Sequence, residues 1–169
     1  LPDFLVISPP RTASTWLYAN LCRHPDVFIP EKKEIHYFDS YCRVANFQWY
    51  LNHFKNTGKQ CKGEATPSYS ILPLQMIRQV KSIMPDVKLI FIMREPVERA
   101  WSEIKRNHLD NMGLFSLNPN YRKEKPACLS TEQLIEHLVF EWILAHSDYL
   151  GCLKRWLSVF PREQMYLGF

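Results

Sequence analysis

FLVISPPRTASTWL, residues 4–17, begins with four apolar residues, breaks at Ser8-Pro9-Pro10 and resumes as a helical pattern. Phe4–Ile7 reads as a short buried strand. From about Ser14 to Arg23, Leu17/Leu21 and Tyr18/Cys22 repeat at four-residue spacing, which predicts a helix. His24-Pro25 ends it, because the residue before proline avoids helical dihedrals. A strand, a tight loop and a helix in this order aim backbone N–H groups and the positive helix end at whatever lies beyond the strand. Ser14 and Thr15 add hydroxyls, and Arg11 adds a permanent charge with a forked donor array. The expected ligand is a phosphate or a sulfate. An ATPase or GTPase loop would read G-x-x-x-x-G-K-[ST]; this loop has no glycine and carries arginine instead of lysine. Ala13 in place of a loop glycine predicts an ordinary backbone conformation at that position.

Moving outward, LIFIMREPVERAWSEI (89–104) is a second constellation of the same kind. Lys88–Met93 is the strongest strand pattern in the chain, apolar throughout, as a central parallel strand is. Pro96 falls at the first turn of the next helix, a favoured place for proline. Val97, Trp101, Ile104 and His108 predict its buried stripe, and Glu95, Arg99 and Glu103 read as a solvated ladder at four-residue spacing. Arg94 just past the strand and Ser102 off the stripe are expected to face a cleft. In a parallel sheet both strands end on the side where ligands bind, so two neighbouring anion sites are expected.

The remaining pattern is consistent with that frame. Short strands are expected at Val27–Ile29, Lys62–Thr66 and Gln164–Leu167. Helices are expected at about Phe47–Phe54, Leu72–Met84, after the capping box Ser130-Thr131-Glu132-Gln133, and through Tyr149–Phe160. Alternating strands and helices imply an α/β fold, a central parallel sheet flanked by helices with right-handed crossovers. A chain of 169 residues, 46% apolar and 22% charged, suits one globular domain and excludes a disordered or fibrous chain. No apolar run approaches a membrane span, and no leader opens the sequence. The net charge of +4 is too small to argue for nucleic acid. It is concentrated where the loop lies: residues 1–85 hold ten Lys/Arg against six Asp/Glu, and residues 86–169 hold eleven against eleven. Five cysteines without a C-x-x-C spacing read as reduced thiols of a cytoplasmic protein; one disulfide in a secretory compartment is the alternative.

PPRTASTWL (9–17) resembles the 5′-phosphosulfate loop of sulfotransferases, P-K-x-G-T-T-x-L, and REPVERAWS (94–102) resembles their 3′-phosphate motif, R-x-P-x-x-R-x-x-S. HPDV (24–27), KEIHYFD (33–39), GEATPSY (63–69) and YLGCLKRWLSVFPREQMYL (149–167) resemble segments of the carbohydrate-type branch, which includes heparan sulfate enzymes. The resemblance implies a P-loop nucleotide-kinase-like fold and sulfuryl transfer from 3′-phosphoadenosine 5′-phosphosulfate to an acceptor hydroxyl, without a metal. By motif position, Arg11 stands for the loop lysine at the leaving phosphate. Thr12, Ala13, Ser14, Thr15 and Trp16 would hold the 5′-phosphate, Trp16 through its backbone, and Arg94 and Ser102 the 3′-phosphate. Glu34 would be the general base with His36 beside it. Glu64 either orients the acceptor or caps a turn, and Tyr69 lines the acceptor pocket. The acceptor is expected to be a small molecule or a carbohydrate. Ala65, where heparan-type enzymes carry a lysine, argues against a strongly anionic one. The resemblance also implies that the family's C-terminal segment over the 3′-phosphate is missing from residues 1–169, with an open donor site. Cytoplasmic location is favoured, a Golgi lumen being the alternative. Two other readings are a non-catalytic nucleotide- or sulfate-binding relative and a kinase-type phosphoryl transferase, the latter requiring Mg²⁺.

Overall fold

The computed structural model describes residues 1–55, 58, 61–111, 130, 132 and 141–169. Five parallel strands form one sheet: β1 (Phe4–Val6), β2 (Val27–Phe28), β3 (Cys61–Ala65), β4 (Lys88–Ile92) and β5 (Met165–Gly168), in the order β2-β3-β1-β4-β5. β1 is central. Leu5 pairs with Glu64 of β3 on one side and with Leu89 of β4 on the other. The chain builds one half of the sheet, then crosses β1 to build the other, so the ends of β1 and β4 form a switch point where ligands bind.

Helices α1 (Ser14–Leu21), α2 (Phe47–Asn52), α3 (Leu74–Ile83), α4 (Pro96–Asn111), α5 (Glu141–Ser147) and α6 (Tyr149–Leu157) cover the sheet. Alternation along β1 splits the core. Leu5 and Ile7 join Leu89, Phe91, Ile77, Val80, Trp156 and Phe160 on one face. Phe4 and Val6 join Ala65 and Ile29 on the other, where Leu17, Tyr18 and Leu21 of α1 pack. Gly63 is required there, since a Cβ would collide with the Phe4 ring paired beside it. Along α3 and its C-terminal end, Ile77, Val80 and Met84 are buried and Leu74 is half-buried. The helix predicted after Ser130 falls largely outside the described residues.

Two expectations need correction. The buried face of α4 is not the Val97/Trp101 stripe: Val97 is 70% and Trp101 42% exposed. Ala100 and Ile104 pack on Ile143 of α5, and Arg99 and Glu103 are buried with them. The two faces are neighbours on the helix, and the polar pair wins because Arg99 finds buried carbonyl acceptors on other elements. Trp142 is 39% exposed, whereas Trp156 is fully buried. The described cysteines, Cys22, Cys42, Cys61 and Cys152, are all free thiols. No helix among the described residues is long and apolar enough to cross a membrane.

Candidate functional site: an anion loop facing a carboxylate–histidine relay

A cleft of about 930 Å³ opens at the ends of β1 and β4. The loop after β1 forms one wall. Ser8 pins it to β4: its Oγ accepts from the Ile92 amide at 2.8 Å and donates to the Ile90 carbonyl at 3.3 Å. Thr12 is buried and its hydroxyl donates to the Pro9 carbonyl at 2.7 Å, so its side chain serves the loop and leaves only its amide for a ligand. Arg11 and Ala13 lie in the left-handed region, at φ 68° and 65°. The ordinary backbone predicted at Ala13 is therefore wrong. The turn that swings the chain from β1 into α1 needs positive φ with or without glycine, at roughly 1–2 kcal/mol for each non-glycine residue. Ala13 is the residue before α1 and offers no side-chain cap, so the first-turn N–H groups of Ser14, Thr15 and Trp16 face the cleft without a capping side chain. Trp16 is 66% exposed and lines the cleft.

The second wall is the start of α4. Arg11 Nε donates to Ser102 Oγ at 3.0 Å, which joins the two predicted anion motifs. Arg94 lines the cleft while bonding Glu98 through Nη2 at 3.1 Å. Both side chains are well exposed, at 42% and 65%, so the pair is worth about 0–1 kcal/mol and yields readily to a dianion. Tyr149 Oη holds the Arg94 backbone, donating to its carbonyl at 2.8 Å. Arg106, one turn beyond Ser102, also lines the cleft. Its spacing of four residues from Ser102 is the signal that could have found it.

Opposite stands the 33–39 segment. Glu34 lines the cleft with its carboxylate shared between Lys33 Nζ, at 2.9 Å from Oε1, and His36 Nε2, at 3.2 Å from Oε2. The other ring nitrogen of His36 lies 2.8 Å from Asp39 Oδ2. Ser68 Oγ donates to the same carboxylate oxygen at 2.6 Å. His36 reaches this position through a left-handed backbone, φ 57°. The result is a chain Glu34–His36–Asp39–Ser68 whose exposed end is Glu34. Asp39 and Ser68 were not singled out from the sequence, although both lie within the KEIHYFD and GEATPSY segments.

Glu64 and Tyr69 belong beneath this segment and not in the cleft. Both are fully buried. Glu64 Oε1 accepts from Tyr50 Oη at 2.7 Å, and Tyr69 Oη accepts from the Phe38 amide at 3.3 Å. Burial pushes the Glu64 carboxyl up to about 7, against the hydrogen bonds from Tyr50, Tyr69 and Thr66 that favour its charge. Of the two readings of Glu64, neither acceptor contact nor turn cap describes it. It is a buried anchor under the relay. The aromatic pairs Tyr37–Tyr50 and Phe38–Tyr69, at centroid distances of 4.9 and 5.6 Å, complete the support. A second cavity of about 540 Å³ adjoins the first, sharing His36, Ser68 and Trp142 and continuing between Tyr41, Arg43, Leu72 and Met76.

Residues 1–168 match the family model described as a sulfotransferase domain. The chain is 34% identical over 146 residues to the membrane-associated sulfotransferase kil1 of Dictyostelium discoideum, covering 83% of this chain and 28% of that protein. It is 34% identical over 176 residues to the bifunctional heparan sulfate N-deacetylase/N-sulfotransferase 1 of Caenorhabditis briggsae, covering 98% of this chain and 20% of that protein. The chain thus spans about a fifth to just over a quarter of these curated relatives. In structure it superposes on a sulfotransferase from Alicyclobacillus acidocaldarius with a TM-score of 0.75 at 24% identity, covering 99% of this chain and 72% of that one. At that identity the likeness carries the fold alone, which is the P-loop-like sulfotransferase fold.

Proposed function

The chain belongs to the sulfotransferase domain family, and on that premise we propose that it transfers a sulfuryl group from 3′-phosphoadenosine 5′-phosphosulfate to an acceptor hydroxyl, with Glu34 as the base. The observation that carries this reading is that Arg11, Glu34, Arg94 and Ser102 all line one cleft. Donor-side cations thereby face a carboxylate across the space where a reacting group would sit.

The residues fit such a donor. The amides of Ser14, Thr15 and Trp16 and the charge of Arg11 suit a 5′-phosphate whose negative charge grows as the S–O bond breaks. Arg94 and Ser102 suit a 3′-phosphate, and the exposed Trp16 indole offers a flat face to a purine. Glu34 takes the hydroxyl proton while the acceptor oxygen bonds to sulfur and the bisphosphate departs with the electron pair. His36, held by Asp39 and Ser68, steadies the carboxylate from behind and spreads the acquired proton's charge through the chain. Proximity supplies much of the rate, because the donor carries its own leaving group. The cavity beyond His36 and Ser68 gives room for the body of a small-molecule or carbohydrate acceptor.

The test is transfer of radiolabelled sulfate from the donor to a panel of alcohols, phenols and sugars, in EDTA. Label transfer without Mg²⁺ is expected. Phosphate transfer that needs Mg²⁺, or binding of donor with no transfer to any acceptor, would overturn the assignment.

A further inference from the structure

Arg99 lies outside the cleft and was read from the sequence as a solvated ladder residue, yet it is among the largest fully buried side chains of the protein. A guanidinium withdrawn from water is retained only where its donors are met. Its acceptors are on two other segments: Nη1 donates to the Pro10 carbonyl at 3.3 Å, and Nη2 donates to the Ile143 carbonyl and Ser147 Oγ, both at 2.8 Å. Nε adds a fourth contact, the second to Ser147 Oγ, at 3.2 Å. The Pro10 carbonyl immediately precedes Arg11 and Ala13, the two left-handed residues of the anion loop. Three residues further along α4, Ser102 takes the Arg11 side chain. One side of α4 therefore grips the loop twice, by backbone and by side chain.

Left-handed non-glycine residues persist where their surroundings over-determine them. Pro9 and Pro10 have no N–H with which to anchor this stretch, so carbonyls must do it. Thr12 takes the Pro9 carbonyl and Arg99 takes the next one. We infer that Arg99 is a positioning residue that holds the anion loop in its ligand-ready shape before any ligand arrives, by tying the Pro10 carbonyl to α4. The consequence for donor affinity rests on the donor proposed above; the loop shape does not.

The experiment is amide hydrogen exchange on the ligand-free protein, comparing wild type with Arg99→Lys, Arg99→Gln and Ser147→Ala. It is paired with calorimetric titration of 3′,5′-adenosine bisphosphate. In Arg99→Gln the amides of residues 11–16 should exchange at least tenfold faster, with Arg99→Lys between it and wild type. The amides of β1 and β4 should stay within threefold. Ser147→Ala, which loosens only the α5 side, should leave the loop within threefold. Bisphosphate affinity should fall about tenfold in Arg99→Lys. Unchanged loop exchange in the Arg99 variants, or an equal rise in Ser147→Ala, would overturn the inference. If Arg99→Gln fails to fold, Arg99→Lys decides by the same criterion. If wild type binds no bisphosphate, the donor reading fails, and the exchange ratios still decide the role of Arg99.

Discussion

Arg11 Nε and Ser102 Oγ, 91 positions apart in the chain, meet at 3.0 Å where the loop after β1 touches the first turns of α4. Each belongs to one of the two anion motifs, so the contact makes them one site. A ligand with anions at both ends would replace this bond with charge-assisted bonds from both groups. Arg11→Ala should lower turnover by about 10²–10³, the range for losing one donor at a developing charge. Ser102→Ala should cost about tenfold in bisphosphate affinity. The double variant should show less than the product of the two effects, because the residues are in contact. Single-turnover rates and calorimetry on all three variants check this, and strict multiplicativity would contradict it.

Arg94→Ala should weaken bisphosphate binding about 10- to 100-fold and leave thermal stability within a degree or two. Among the described residues, the side-chain partner it loses is the exposed Glu98 carboxylate, and such surface pairs contribute about 0–1 kcal/mol. Titration calorimetry and a melting curve separate the two effects. Equal affinity for variant and wild type would remove Arg94 from the donor site.

Glu34→Gln should lower kcat by about 10²–10⁴, the usual worth of a positioned general base, with bisphosphate affinity unchanged within threefold. Asp39→Asn should act in the same direction but less, since Asp39 touches His36 and not the reacting hydroxyl. Steady-state kinetics with saturating donor reads both. Full activity in Glu34→Gln would transfer the base role to another group.

Glu64→Gln should change how stability depends on pH. In the folded protein burial raises the Glu64 carboxyl to about 7 from its ordinary 4.5, so its favourable contribution is complete below pH 4.5 and is lost as pH rises toward 7. His146 acts oppositely. Burial lowers it to about 4 from 6.5, so its contribution is complete above pH 6.5 and is lost as pH falls toward 4. Between pH 4.5 and 6.5 the two slopes oppose each other in the wild type. With Gln at position 64, stability should rise with pH there, more steeply by up to about 1.4 kcal/mol per pH unit. Urea melts at half-unit pH steps measure it, and an unaltered slope would refute the buried-carboxylate assignment.

Much of this was legible from local pattern. β1, β4 and α3 follow from apolar runs and four-residue spacing, and Pro96 marks the start of α4 as predicted. Arg11, Arg94 and Ser102 were nameable because strand-end loops carry the chemistry of parallel α/β sheets, and Glu34 through the resemblance of KEIHYFD to a sulfotransferase segment. Arg99 and Glu64 were misread for a common reason. A charged residue in a helix or strand carries no local sign of burial, because its partners lie elsewhere in the chain: the carbonyls that accept from Arg99 are 44 and 89 positions away, and the Tyr50 hydroxyl that donates to Glu64 is 14 away.

The amino-acid sequence by itself determined the strand–loop–helix grammar and the parallel sheet, and it singled out Arg11, Arg94 and Ser102 as candidate anion ligands. These depend on period, proline and charge within a few residues. Tertiary structure decided that two loops form one site, that Ala13 is left-handed, that His36 links two carboxylates and that Arg99 faces inward. Each of these is settled by partners brought together only when β1 is placed between β3 and β4, and no local pattern contains that distance.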